Sequence, residues 1–219
     1  MIGQFSTANY AFGSTSNTTA YTISTRRDRL LVVSLISENN RTPSYVRYGG
    51  QDLTLAVSRI NASLSTNIVH IYYALEETLA AAANTNITIG YSTSTTVVVH
   101  VADFYDVRQE APYLTGYNDT GNGSTGATVT IAMEAANHML LYTGMNSVDG
   151  TATWTPDAGF TELQDTSYAS TFQCTTIWGL STNSGNWAAH ATCTSSGFCT
   201  AVAAAWRDME DISYPIWFL

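Results

Sequence analysis

Residues 30–36 read Leu30-Leu31-Val32-Val33-Ser34-Leu35-Ile36, a nearly continuous apolar run. Such a run is expected of a strand buried on both faces. A second such run spans Val97 to Phe104. Between them the pattern alternates. Leu53, Leu55 and Val57 interleave with Thr54, Ala56 and Ser58. Val69, Ile71, Tyr73 and Leu75 interleave with His70, Tyr72 and Ala74, and Ile87, Ile89 and Tyr91 with Thr88, Gly90 and Ser92. Period-two alternation puts one face of each strand in a core and the other outside, which here places His70 outward. Gly49-Gly50 separates two runs and predicts a hairpin, because primed turns need positive φ. The one helix-like stretch, residues 76–84, is short enough to be a loop with a single helical turn.

The second half of the chain repeats these signals in the same order. Tyr21-Thr22-Ile23 corresponds to Val129-Thr130-Ile131, and Asp28 to Val32 corresponds to Asn137 to Leu141. Gly50-Gln51-Asp52-Leu53 has a counterpart in residues 159–163. Tyr72 to Leu75 matches Ile177 to Leu180, and Phe104-Tyr105-Asp106 matches Trp206-Arg207-Asp208. The separation shrinks slowly along the chain, as it does when loops shorten and order is kept. The segment from Arg108 to Gly126, rich in glycine with Pro112, Asn118 and Asp119, reads as the connector. The expected fold is therefore all-β: an antiparallel β-sandwich, jelly-roll-like, built from an internal duplication. Its modules are 1–110 with an N-terminal arm and 111–219 with a C-terminal tail, free to pack as one domain.

Within the first half, Leu30–Ile36 is followed by Val46-Arg47-Tyr48-Gly49-Gly50-Gln51-Asp52-Leu53-Thr54, then Ile71-Tyr72-Tyr73-Ala74-Leu75, residues 86–91 and Val97–Phe104. This order resembles a duplicated β-sandwich module family with a V-x-Y-G-G-x-x-L-T signature, seen in bacterial surface proteins and in structural proteins of tailed phages. The likeness covers most of residues 20–107 and, more weakly, 127–209, where the Tyr-Gly-Gly turn is missing. The resemblance implies a structural or adhesive role and offers no catalytic residues to carry over.

Composition agrees with such a role. Charged residues make up 11% of the 219 and hydrophobic residues 45%, with a net charge of −9. Ser, Thr, Asn and Gly supply the polar surface, which suits a protein that packs against copies of itself or lives outside the cell. All basic side chains are arginines, and they form no patch that would neutralise phosphates, so nucleic acid and anionic membrane are not expected partners. No run reaches the ~18 apolar residues of a membrane span. Residues 1–10 have neither a basic n-region nor an apolar h-region. The expectation is either a trimmed leader or a protein released by lysis, as a virion is.

Candidate chemistry is sparse. His70, His100, His138 and His190 have no metal-ligand spacing, so no metal or other cofactor is expected. Within the buried run, His100 reads as a hydrogen-bonded core residue. In the repeat, Cys174 falls on Val69, Cys193 on Tyr91 and Cys199 on Val97, which makes them core thiols. Cys193 and Cys199 flank a turn and could pair only if their Cα atoms came within about 7 Å. Residues 118–123 resemble an oxygen-rich calcium loop but lack its closing acid, and Glu76-Glu77 and residues 208–211 read as solvated charges.

Aromatics are the best binding feature. Trp178 and Trp206 fall at inward positions. Trp154 and Trp187 sit in polar stretches, where an exposed ring would stack on a sugar or bury in a partner. Phe5, Tyr10 and Phe12 in the arm, with Tyr214, Ile216, Trp217 and Phe218 in the tail, read either as edge strands of their own sandwich or as straps that add to a neighbour's sheet. The expected function is non-enzymatic: a virion structural protein, a capsid decoration (cement) protein or a related fibre or shell component, bound to other capsid proteins and to copies of itself. Two alternatives stand beside it, an extracellular surface or filament protein assembling by strand exchange and a carbohydrate-binding module for surface glycans.

Overall fold

The computed structural model describes residues 1–148, 151–168 and 172–211. The first half contributes β1 (Gly3–Ala20), β2 (Leu30–Ser37), β3 (Tyr45–Tyr48), β4 (Gln51–Asp52), β5 (Thr54–Ile60), β6 (Ile68–Leu75), a one-turn helix α1 (Glu76–Ala80) and β7 (Asn86–Tyr105). All pair antiparallel, in the order β5-β6-β2-β7-β1, with the β3–β4 hairpin alongside the N-terminal part of β7. The second half supplies β8 (Leu114–Asp119), β9 (Val129–Met133), β10 (Met139–Ser147), β11 (Trp154–Pro156), β12 (Thr161–Tyr168), β13 (Phe172–Leu180), β14 (Gly185–Ala189), β15 (Ala191–Cys193) and β16 (Phe198–Trp206). Its main sheet runs β12-β13-β10-β16-β8, with two small ribbons, β11-β15 and β14-β9.

The apolar runs are buried on both faces because each central strand serves two cores. Leu30, Val32 and Ile36 point into a core shared with Met139, Leu141, Met145, Val202 and Trp206 of the other half. Their neighbours Leu31, Val33 and Leu35 join Val97, Val99 and Val101 in a core private to the first half. In β10 the same division sends Leu140 and Tyr142 into a private core of the second half. Each such side chain stabilises the fold by roughly 1.5–3 kcal/mol, so the doubly buried strands hold the molecule together.

The backbone repeats the same pairings in both halves, with one correction: Thr54 pairs with Tyr73 as Thr161 pairs with Trp178, so Leu53 answers to Phe160 and not to Leu163. Leu30 pairs with Leu75 on one side and Phe104 on the other; Met139 pairs with Leu180 and Trp206. These are the residues that the sequence repeat aligns. Edge strand β5 carries a bulge between Leu55 and Val57, and its counterpart β12 carries one at the equivalent step, between Glu162 and Gln164. Asp28 and Asn137, aligned in the repeat, both adopt positive φ, +54° and +63°.

The two main sheets face each other about a pseudo-two-fold axis. Ser34 and its repeat equivalent Thr143 share a hydrogen bond of 2.7 Å on that axis. Away from it, contacts come in related pairs. Tyr73 meets Trp206 edge-to-face at 5.9 Å, and their equivalents Trp178 and Phe104 meet edge-to-face at 5.2 Å. On one seam Arg59 of β5 lies over the Tyr117 ring of β8; on the other, their equivalents Thr166 and Asn9 are hydrogen-bonded at 2.9 Å. Residue-to-equivalent contact is the geometry of an isologous dimer interface, here closed within one chain.

Several expectations need correction. Leu114–Asp119, read as connector, is edge strand β8 on β16, because the polar side chains of an edge hide its strand signal. His70 is buried, not outward, because the first half's private core covers the other face of β6. The bulge in β5 reverses its alternation, leaving Leu55 exposed while Ala56 packs against the shared core. Asp208 is buried beside the amino terminus at 3.3 Å. The Gly49-Gly50 turn forms as expected, with φ of +56° and +88°.

Candidate interaction surfaces

The N-terminal strand is the first surface to place. β1 pairs with β7 of its own chain from Gly3↔Tyr105 to Ala20↔Asn86. β7 is long and buried, and its open edge has to be hydrogen-bonded; the uncharged arm does this locally. Phe12 is therefore buried in the first half's core, 6.3 Å from the Tyr91 ring, and is not a free strap residue. Tyr10 is half-buried against the same core, and burial raises its phenol pKa. Phe5, at a bulge between Gln4 and Ser6, is 54% exposed.

The two loop tryptophans do not form a platform. Trp154 is only 4% exposed and lies in the second half's core, where β11 pairs with β15. Its backbone N–H donates to Asp165. The polar neighbours that suggested a loop are the outer face of a short strand capping that core. Trp187 is half-buried and stacks on Phe160 with ring centroids 4.5 Å apart; it packs so closely over Gly179 that a Cβ there would meet the indole at 2.8 Å. Tyr214, Ile216, Trp217 and Phe218 lie outside the described residues.

The interior polar groups are enclosed by the fold. His100 accepts or donates at both ring nitrogens, to Thr176 at 2.9 Å and to Thr166 at 3.0 Å. Thr176 continues to Thr143 at 3.2 Å and so to Ser34. The gap between the sheets beside these groups is too narrow for a water molecule. Desolvation lowers the His100 pKa to about 3 and that of His70 to about 4. Asp103, fully buried, accepts from Ser6 Oγ at 2.7 Å, Tyr21 O–H at 2.8 Å and the Ser24 N–H at 2.8 Å. No sequence signal marked this cluster, since its members are far apart along the chain and one carboxylate in an apolar run has no spacing to read. Cys174, Cys193 and Cys199 are buried free thiols, and burial pushes the Cys199 thiol up to about 11.

Most of the arginines are held in local pairs. Arg29 grips Glu76, holding that carboxyl below its usual range. Arg207 spans Glu110 and Glu134 and covers the Tyr113 ring at 4.4 Å. Asp119, from the calcium-like loop, is bound to Arg59 and the Ala62 N–H. Asn61, a glycosylation sequon residue, is fully buried and donates to Cys199 O and Thr200 Oγ1. Among the described residues no group of three or more His, Cys, Asp or Glu could hold a metal, and no helix is long and apolar enough to cross a membrane. No known protein family, curated protein or solved structure matches the chain.

Proposed function

We propose that this chain is a non-enzymatic virion structural protein, a capsid decoration protein or a related fibre or shell component of a phage. One observation carries the non-enzymatic part. His70, His100, Asp103 and the cysteines are packed or hydrogen-bonded inside a closed sandwich, out of reach of a substrate, and the surface pair His190–Asp157 has no nucleophile hydrogen-bonded to it among the described residues. The resemblance of residues 20–107 to duplicated modules of phage and bacterial surface proteins supports the virion part, as does a surface dominated by uncharged polar residues. The glycan-binding alternative has lost one of its two rings to the core. Extracellular filament assembly keeps support from β1, which pairs with no strand but β7 among the described residues.

The test is to fractionate native source particles on a density gradient and probe the fractions with an antibody to this chain. It is expected to travel with intact particles, and recombinant protein should co-sediment with particles stripped of it. Recovery only in particle-free fractions would remove the virion reading.

A further inference from the structure

The edge strands of the two main sheets differ in a way the fold does not require. Four of the five carry charge: Asp52 in β4, Arg59 in β5 with its ion-pair partner Asp119 in β8, and Glu162 and Asp165 in β12. Charged side chains on an edge discourage pairing with another chain. β1 is different. Its residues, Gly3–Ala20, include no charged side chain and no proline, and among the described residues it pairs only with β7. Between its two bulges, from Ser6 to Ser14, the register with β7 is unbroken. That is about 30 Å of regular edge whose outward N–H and C=O groups face away from the sheet.

The duplication supplies the control. In the second half the positions of β1 are taken by two short strands, β8 against β16 and β9 against β14. The intervening residues 120–128 are tied down by Thr120 N–H to Cys199 O and by Ser124 paired with Gly197. The same architecture is therefore satisfied by a broken, charged edge. The length and neutrality of β1 exceed what closing its own sheet demands.

We infer that the free edge of β1 is an interface for a second copy of this chain, β1 against β1 antiparallel across a two-fold axis. Like-with-like pairing fits a neutral strand, because it needs no complementary charge and meets none of the repulsion that a net charge of −9 imposes elsewhere. The pairing joins two seven-stranded sheets edge to edge, and it brings the exposed Phe5 into the contact. This deepens the assembly reading above, yet the two fail separately, since a monomeric chain could still bind particles.

Sedimentation velocity of the full chain over a wide concentration range is the test. A concentration-dependent dimer is expected. The double variant Phe5→Lys/Gly13→Lys puts like charges on facing edges at exposed positions and should weaken dimerisation by roughly tenfold or more. A Lys pair on β8, Leu114→Lys/Thr115→Lys, adds the same charge elsewhere and should leave the dimer intact. Hydrogen exchange gives a second readout without substitutions: amides of residues 6–14 should gain protection as concentration rises. A chain that stays monomeric throughout, or a dimer that the β1 charges do not weaken more than the β8 charges, overturns the inference.

Discussion

His100 should make the stability of this protein acid-sensitive well above the range in which carboxylates titrate. The ring is buried between the sheets and its pKa is lowered to about 3, against about 6.5 in an unfolded chain. Below pH 6.5 the unfolded state therefore takes up a proton that the folded state refuses, and stability falls as pH falls. The slope is about 1.4 kcal/mol per pH unit for this one residue, and the full loss down to pH 3 is about 5 kcal/mol. His70, lowered to about 4, adds a similar slope. Together they remove about 8 kcal/mol by pH 3, a large share of a total stability of ~5–15 kcal/mol. The pseudo-symmetry provides a matched variant. His100 and Thr176 face each other where the equivalent seam has Val202 and Ile71, both in the shared core. The double variant His100→Val/Thr176→Ile copies that apolar seam and leaves Thr166 its hydrogen bond from Asn9. Urea denaturation at steps between pH 6.5 and 5 would measure both proteins. The variant should lose about 1.4 kcal/mol per pH unit from the wild-type slope, a difference of about 2 kcal/mol over that window. Identical slopes would show that His100 is protonated in the native state or exposed to water, and would refute the reasoning.

Two further predictions concern single sites. Asp103→Ala leaves the buried Ser24 N–H without its acceptor, while the Tyr21 hydroxyl keeps the Ser6 carbonyl and Ser6 Oγ keeps the Tyr21 oxygen; a loss of about 1–3 kcal/mol is expected in chemical denaturation, and a loss below about 0.5 kcal/mol would mean that water reaches the cluster. Gly49→Ala should destabilise far more than Gly50→Ala although both residues have positive φ: a Cβ on Gly49 would lie 2.5 Å from Ala82 Cβ and Asn84 O, whereas one on Gly50 meets nothing within 4 Å. Equal melting temperatures for the two variants would contradict that geometry.

The parts of the fold visible in the sequence are those in which one residue's environment is set by its neighbours in the chain. Leu30–Ile36 and Val97–Phe104 declare their double burial, Gly49-Gly50 its turn, and the shared order of signals the duplication. Edges were harder. β8 consists of Leu114, Thr115, Gly116, Tyr117, Asn118 and Asp119, which is how a loop also reads, and only its pairing with β16 reveals a strand. The bulge in β5 shifted its alternation by one, so Leu55 looked inward from the sequence and is exposed in the fold. Trp154 failed for a related reason: polar neighbours show that one face of a short strand is wet and say nothing of the other, which here covers a core. Buried clusters such as Asp103–Tyr21–Ser24 depend on residues brought together by topology, and no local spacing encodes them.

Because the chain holds two versions of one module, each difference between them separates what the architecture needs from what this protein adds. The aromatic pairs Tyr73–Trp206 and Phe104–Trp178 are kept on both sides of the axis, so edge-to-face packing there belongs to the fold itself. Asp103 is not kept: its equivalent is Ala205, also fully buried, and the second half folds its β9 ribbon without a carboxylate beneath it. The Asp103 cluster ties Ser6 and the Tyr21–Ser24 turn to β7, and so fixes both ends of β1 in place. An interior carboxylate is a costly way to hold a strand that an apolar contact holds in the other copy. It makes physical sense where that strand has to stay seated with one edge bare, and among the described edge strands β1 is the long one that carries no charge.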